Sequence, residues 1–256
     1  MHMKQNLLTV MLVVLLGGML SSQLMGQSFS YTWKRVPMDT TWESTRPNLA
    51  DSIMMKYHPG IEPLMEIIAY SDLEMDKGKP ESSLSNLAAD IILETALPYT
   101  EPDDRVFSLT NFGGIRTSLP KGAVRIYDIY SIFPFENSIV VVEVSGADVR
   151  KQLQRFASRN NFEALGGVEI EVRDGKMTKC NVGGAPLEDD RIYKLATIDF
   201  LLGGGDKVFI GSKAIPNSLI ETKIVMRDAV VSYLKKETQA GRTLSNRKDG
   251  RVVVHK

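Results

Sequence analysis

Between Ser85 and Val254 the sequence changes repeatedly from helical to strand periodicity without a strict strand-helix-strand alternation, and this constrains the fold more than any other feature. Ser85 to Leu97 places Leu87, Ile91 and Leu93 with Ala88, Ile92 and Ala96 at helix spacing until Pro98 stops it. Val106 to Asn111 and Ser138 to Val144 read as strands from their β-branched and aromatic content. Ser145 with Asp148 forms a capping box, after which Val149, Leu153 and Phe156 recur on one helical face. Val168 to Val172 and Arg191 to Ile198 read as strands, with turns at Asp174-Gly175 and Val182-Gly183-Gly184. Glu221 to Lys236 is predicted as a helix with Ile224, Val230, Tyr233 and Leu234 inward, and Arg251 to Val254 as a last strand. The expected fold class is α+β, a mixed-sheet α/β sandwich occupying residues 51–256.

Upstream, Ile53, Met54, Tyr57, Ile61, Met65 and Ile68 read as helical material split in two by a Pro59-Gly60 turn, and Lys77-Gly78-Lys79-Pro80 reads as a loop. Residues 27–50 carry Trp33 and Trp42 without a helical or strand period and are read as an extended lead-in. Before them, Lys4 precedes an apolar run from Leu7 to Leu20 and then a small and polar stretch, the layout of a secretory signal peptide over residues 1–26. A run this short falls below the roughly 20 residues a spanning helix needs, so export with cleavage is expected, to a periplasmic, cell-surface or extracellular location. Loss of residues 1–26 removes Lys4 and no acid, leaving a net charge of about −1, which gives no attraction to nucleic acid polymers or anionic membranes. The single cysteine, Cys180, cannot form an internal disulfide, so an exported fold must be held by its core.

Catalytic chemistry is thinly supplied. The three histidines, His2, His58 and His255, are scattered, no His/Asp cluster has ligand spacing, and no G-x-S-x-G elbow occurs. No metal or other cofactor is expected to be held by this chain. A carboxylate pair of glycosidase type stays open, because spacing does not show which acids converge.

Three loop segments combine residues that cost a fold with residues useful in recognition. Asn111-Phe112-Gly113-Gly114-Ile115-Arg116 follows a strand; Gly113 and Gly114 allow positive φ and close backbone approach, and Arg116 offers a planar fork to phosphate or hydroxyl groups. A plain β-turn with a solvated arginine is the alternative. Phe133-Pro134-Phe135-Glu136-Asn137 precedes a strand and offers a ring that can stack on a planar base, a core phenylalanine being the alternative. Asp199 to Asp206 contains Phe200 and three consecutive glycines, Gly203 to Gly205. Two loop aromatics can hold a flat heterocycle, and Asp206 can accept hydrogen bonds from ribose hydroxyls or a base amine.

These segments, with Glu81 to Leu87, Asp90, Pro134-Phe135, Val140 to Gly146, Phe200 and Gly204-Gly205-Asp206 in matching order and spacing, make the chain from about Ala50 onward resemble the C-terminal domain of 5′-nucleotidases and UDP-sugar hydrolases. The resemblance implies that Phe135 and Phe200 sandwich a nucleobase, that Asn111 and Arg116 contact base and sugar or phosphate, and that Asp206 binds ribose. Two positions depart from the pattern: Phe112 stands where the family usually has glycine, and the basic residues before the Glu81 segment are only Lys77 and Lys79. In family enzymes a dinuclear metal centre lies on an N-terminal metallophosphatase domain, and divalent metals are therefore expected on a separate metallophosphatase partner. The implied role is substrate presentation in extracytoplasmic nucleotide hydrolysis, with a freestanding nucleoside- or nucleotide-binding protein as the alternative.

Overall fold

The computed structural model describes residues 30–35, 49–208 and 210–255. The signal segment and most of the lead-in lie outside the described residues. Residues 30–35 carry no regular secondary structure, and the chain from Ile53 onward forms one compact unit.

Helix α1 (Leu49–Ile61) runs straight through Pro59-Gly60. The split expected there does not occur; a 3-10 turn, Glu62–Met65, follows instead. Strand β1 (Ile67–Ser71) then begins, so Ile68 is a buried strand residue and not the last of a helical series. Helical spacing from Ile61 and Met65 hid this, because a short apolar run reads equally well with either period.

Helix α2 (Ser83–Ala96) starts at Ser82, whose hydroxyl accepts from Ser85 N at 3.1 Å while Ser82 N donates to Ser85 Oγ at 2.9 Å. Leu84, Leu87, Ile91 and Ile92 are each at most 2% exposed, and burial of each contributes about 1.5–3 kcal/mol before entropy is charged. The helix runs across β2 (Val106–Thr110), β4 (Ser138–Ser145), β5 (Ala164–Gly166) and β9 (Ile192–Ile198). These strands, with β10 (Ile220–Val225), form a mixed five-stranded sheet in the order β10-β4-β9-β2-β5. Consecutive residues of β2 and of Ile139–Val142 in β4 are buried, so both faces of the sheet are covered.

A two-stranded sheet pairs β1 with β3 (Gly122–Arg125), and α3 (Ile126–Ile132) follows directly. Helix α4 (Gly146–Arg159) is capped by Ser145, whose Oγ accepts from Asp148 N at 3.2 Å; in place of the reciprocal backbone bond of the expected capping box, Asp148 Oδ2 accepts from Ser145 Oγ at 2.7 Å, and the helix packs against β4 and β7 (Lys176–Val182). The second sheet has the order β11-β6-β7-β8, with β6 (Val168–Arg173), β8 (Ala185–Pro186) and β11 (Val252–His255). In β6, Val168, Ile170 and Val172 face the core while Glu169 and Arg173 are exposed, the period-two pattern of a half-buried strand. The architecture is thus the expected mixed α/β arrangement.

One boundary needs correction. The predicted helix from Glu221 begins only at Met226, as α6 (Met226–Gln239), because Ile220–Val225 pairs antiparallel with β4. Val230 and Leu234 are buried as expected, and Ile224 is a half-buried strand residue. Among the described residues no helix is long and apolar enough to cross a membrane.

Cys180 sits on β7, packed against the core, and burial pushes its thiol up to about 11. At pH 8 its thiolate fraction is then about a hundredth of that of an ordinary protein thiol. Native protein is expected to react with iodoacetamide at least tens of times more slowly than guanidinium-unfolded protein, measured by mass spectrometry; equal rates would contradict this burial.

Candidate functional site

The topology brings three loops to one edge of the central sheet. Strands β2 and β9 are parallel neighbours, paired from Val106↔Lys194 to Ser108↔Ala196, so the segments after both leave at the same end. Strand β4 runs antiparallel to β9, with Ile139 opposite Ile198, so its beginning lies at that end too. A cavity of about 250 Å³ lies there, lined by Asn111, Gly113, Gly114, Arg116, Phe135, Phe200 and Asp206, together with Asn137. All seven site residues read from the sequence thus meet at one place. Asn137 was missed as a lining residue, although the same segment as Phe135 contains it.

The first loop is a short 3-10 turn, Phe112–Gly114, directly after β2. Asn111 is 4% exposed, and its Nδ2 donates to Asp206 Oδ2, joining the first and third loops. Asn111 Oδ1 is buried without a hydrogen-bond partner, an arrangement that leaves a costly unused acceptor. Neither Gly113 nor Gly114 has positive φ, contrary to the conformational reason the sequence suggested. Their missing side chains make space instead: a Cβ on Gly113 would lie 2.7 Å from Asp206 Oδ2, and one on Gly114 would lie 3.1 Å from Asn111 Oδ1.

Phe112, Lys77 and Lys79 brace this loop. Phe112 packs with Ala89 and Ala164, and its N–H donates to Glu163 Oε2 at 2.6 Å. Glu163 also pairs with Lys79 Nζ at 3.1 Å, and that ammonium lies 5.0 Å from the Phe112 ring centroid. Lys77 Nζ donates to Ile115 O at 2.6 Å. Both lysines are bonded to the loop and its support, and neither lines the cavity.

Phe135 and Phe200 are each 48% exposed, so each forgoes roughly half of the 1.5–3 kcal/mol that full burial would give. Arg116 donates from Nη1 to Gly113 O at 3.1 Å, and its guanidinium carbon lies 6.0 Å from the Phe135 ring centroid. Phe200 belongs to a single-turn helix, α5 (Asp199–Leu202), tied down by Asp199: Oδ1 accepts from Phe200 N at 2.7 Å and Oδ2 from Ser138 N at 3.2 Å.

The chain then turns through Gly204, Asp206 and Lys207 with φ of 82°, 51° and 63°. For the two non-glycine residues this left-handed region costs about 1 kcal/mol each or more. It places Asp206 against Asn111. Gly205 has a different reason to be glycine, since a Cβ there would lie 2.5 Å from Cε1 of the Phe200 ring. Gly205→Ala is therefore expected to displace that ring while leaving the sheet intact: unchanged far-UV circular dichroism with a shifted Phe200 aromatic NMR signal. Unchanged Phe200 resonances would show that the contact is not tight.

Two larger and more open clefts occur elsewhere, of about 620 Å³ along β6 and β7 and about 640 Å³ beside Glu74 and Tyr127. Some of their polar groups bond to one another, as Lys179 does with Glu169 at 3.2 Å and Ser118 with Glu74 at 3.0 Å. The smaller cavity is the one that carries two half-exposed rings and an unused buried acceptor. Among the described residues no group of three or more His, Cys, Asp or Glu side chains is placed to hold a metal ion.

Residues 66–211 match the family model described as 5′-nucleotidase, C-terminal domain. That span covers more than half of the chain and includes every lining residue of the cavity. Protein UshA of Salmonella pullorum is 29% identical over 138 residues, which are 52% of this chain and 24% of that protein. A cell wall protein of Listeria monocytogenes is 30% identical over 189 residues, covering 68% of this chain and 24% of that protein. The chain thus spans about a quarter of the length of these relatives. The crystal structure of a 5′-nucleotidase precursor from Thermus thermophilus superposes with a TM-score of 0.68 at 22% identity, over 80% of this chain and 42% of that one, a likeness of fold.

Proposed function

We propose, on the premise that the chain belongs to the 5′-nucleotidase C-terminal domain family, that its cavity binds the nucleoside part of a nucleotide. In this reading Phe135 and Phe200 stack on the base, Asp206 accepts from ribose hydroxyls, and Arg116 directs its guanidinium to sugar or phosphate oxygens. The observation that carries it is the pair of half-exposed rings, from two separate loops, lining one cavity beside the Asn111–Asp206 pair. The size agrees: about 250 Å³ lies just below the roughly 300–1,000 Å³ of drug-sized sites, which suits a nucleoside better than a dinucleotide.

Hydrolysis of a phosphate ester by the family's route needs metals, and among the described residues no group of three or more His, Cys, Asp or Glu side chains is placed to hold one. We assign them to a separate metallophosphatase chain, with this chain contributing binding and orientation, whose loss can cost large factors in rate. The signal-like N-terminus supports an extracytoplasmic location for this activity. The alternative is a freestanding nucleoside-binding protein, in which the same cavity holds its ligand without a partner chain.

Saturation-transfer NMR of the purified protein with adenosine and AMP tests the shared core of both readings. Transfer to the base protons is expected, and none up to millimolar ligand would overturn the proposal. Phosphate release from AMP by a separately purified metallophosphatase, increased on adding this chain, selects substrate presentation; no increase selects the freestanding binder.

A further inference from the structure

Arg227 stands at the second residue of α6, where a cation opposes the positive end of the helix dipole. Its side chain is 11% exposed, and its Nε is buried without a hydrogen-bond partner. The neighbouring Asp228, whose Oδ1 lies 3.8 Å from that Nε, offsets part of this cost, and the other contacts of the guanidinium reach further along the chain. Its carbon lies 4.0 Å from the centroid of the Tyr130 ring on α3. One nitrogen, Nη2, donates to Glu136 Oε1 at 3.3 Å. The adjacent Met226 N donates to Asn137 O at 2.9 Å.

Tyr130 precedes the aromatic loop, while Glu136 and Asn137 follow its exposed ring, Phe135. Arg227 therefore joins both ends of the short segment that carries Phe135 to the start of a long helix. We infer that Arg227 is a positioning residue for Phe135, setting the ring's place at the cavity through its stack on Tyr130 and its ion pair with Glu136. Arg227 does not line the cavity. The inference rests on the reading of Phe135 as a base-stacking residue. It goes beyond that reading by placing a specificity-bearing element on α6, which contributes nothing to the cavity wall.

The test uses two readouts on the full chain. A 4-fluorophenylalanine placed at position 135 reports the ring's surroundings by ¹⁹F NMR with no ligand present, and an adenosine titration reports the site's competence. In Arg227→Ala the ¹⁹F signal is expected to shift and broaden, and adenosine to bind about three- to thirtyfold more weakly, the range of a partly desolvated cation–π contact. Arg227→Lys keeps the charge opposite Glu136 but lacks the planar stack and is expected to restore part of both signals. A folded Arg227→Ala protein with unchanged ¹⁹F signal and affinity would overturn the inference. Should that variant not fold, Tyr130→Leu and Glu136→Gln remove the two arms at exposed positions, and an unmoved ¹⁹F signal in both overturns it equally. Lack of adenosine binding by the wild type would sink the nucleoside reading alone, because the ¹⁹F response to Arg227→Ala would still stand or fall by itself.

Discussion

Replacing Phe135 and Phe200 together by alanine is expected to weaken adenosine binding by about 30-fold to 1,000-fold while barely changing the melting temperature. Base–aromatic stacking is worth about 1–3 kcal/mol per ring on alanine substitution, and two rings on one base add incompletely, so a loss of about 2–4 kcal/mol follows. Stability should change little because both rings are half-exposed and already give up much of the packing a core phenylalanine provides. A chemical-shift titration with adenosine, run beside a thermal melt, separates the two effects. A large fall in melting temperature with little change in affinity would mean that the rings belong to the core and that the cavity is incidental.

Arg251→Ala should produce the largest loss of stability outside the apolar core, about 2 kcal/mol or a fall of about 4–8 °C in melting temperature. Arg251 is nearly buried and forks onto Asp90, with Nη1–Oδ1 of 2.7 Å and Nη2–Oδ2 of 2.9 Å, while Nη2 also meets Asp249 at 2.6 Å and Nη1 donates to Leu165 O at 2.9 Å. Breaking a fully buried pair costs about 3–5 kcal/mol; the two carboxylates here are half-exposed, so solvent screens part of that. The arginine holds the segment that leads into β11 against α2, and Glu81 reinforces it by accepting from Gly250 N at 3.0 Å.

Acid should change this difference in a defined direction. The Arg251 hydrogen bond holds the Asp249 carboxyl below its ordinary value, with burial opposing less strongly. A depressed folded-state value stabilises the protein above the unfolded carboxylate range, and that contribution is lost as pH falls through the folded value. The gap between wild type and variant should therefore narrow below about pH 4. A gap that is constant from pH 7 to pH 3 would assign the loss to packing alone.

Much of the central architecture was legible because its signals are local. The Ser145 start, the Pro98 stop and the strand read at Val168 to Val172 each carry their information within a few residues. Strand β10 was not legible. Ile220–Val225 runs into a helical pattern at Met226, and only pairing with the edge of β4, far earlier in the chain, makes it extended. Strand β1 was hidden for the same reason, its partner β3 lying far along the chain.

The site divides along similar lines. Loop aromatics, glycine pairs and lone charged residues at strand ends stood out singly, because each is costly to a fold that does not use it. What each glycine is for could not be read: Gly113 yields to Asp206, and Gly205 to Phe200, contacts with partners that only the folded chain brings close. Glu163 and Arg227 gave no sign of supporting the loops. A buried carboxylate and a stacked guanidinium look in sequence like any surface acid and base.

The parallel pairing of β2 with β9 has a consequence for how such a site comes into being. Asn111 and Asp206, joined by a hydrogen bond, stand 95 positions apart, and their loops meet only once the central strands have found each other across the intervening chain. No fragment can hold part of the site in reserve, and a ligand has nothing to recognise until the whole sheet has closed. Thermodynamic linkage then makes the ligand a stabiliser of the entire unit: a concentration of 100 times its dissociation constant adds about 2.7 kcal/mol to unfolding. Heat resistance measured across a panel of nucleosides would rank them by affinity, with the protein's own cooperativity serving as the detector.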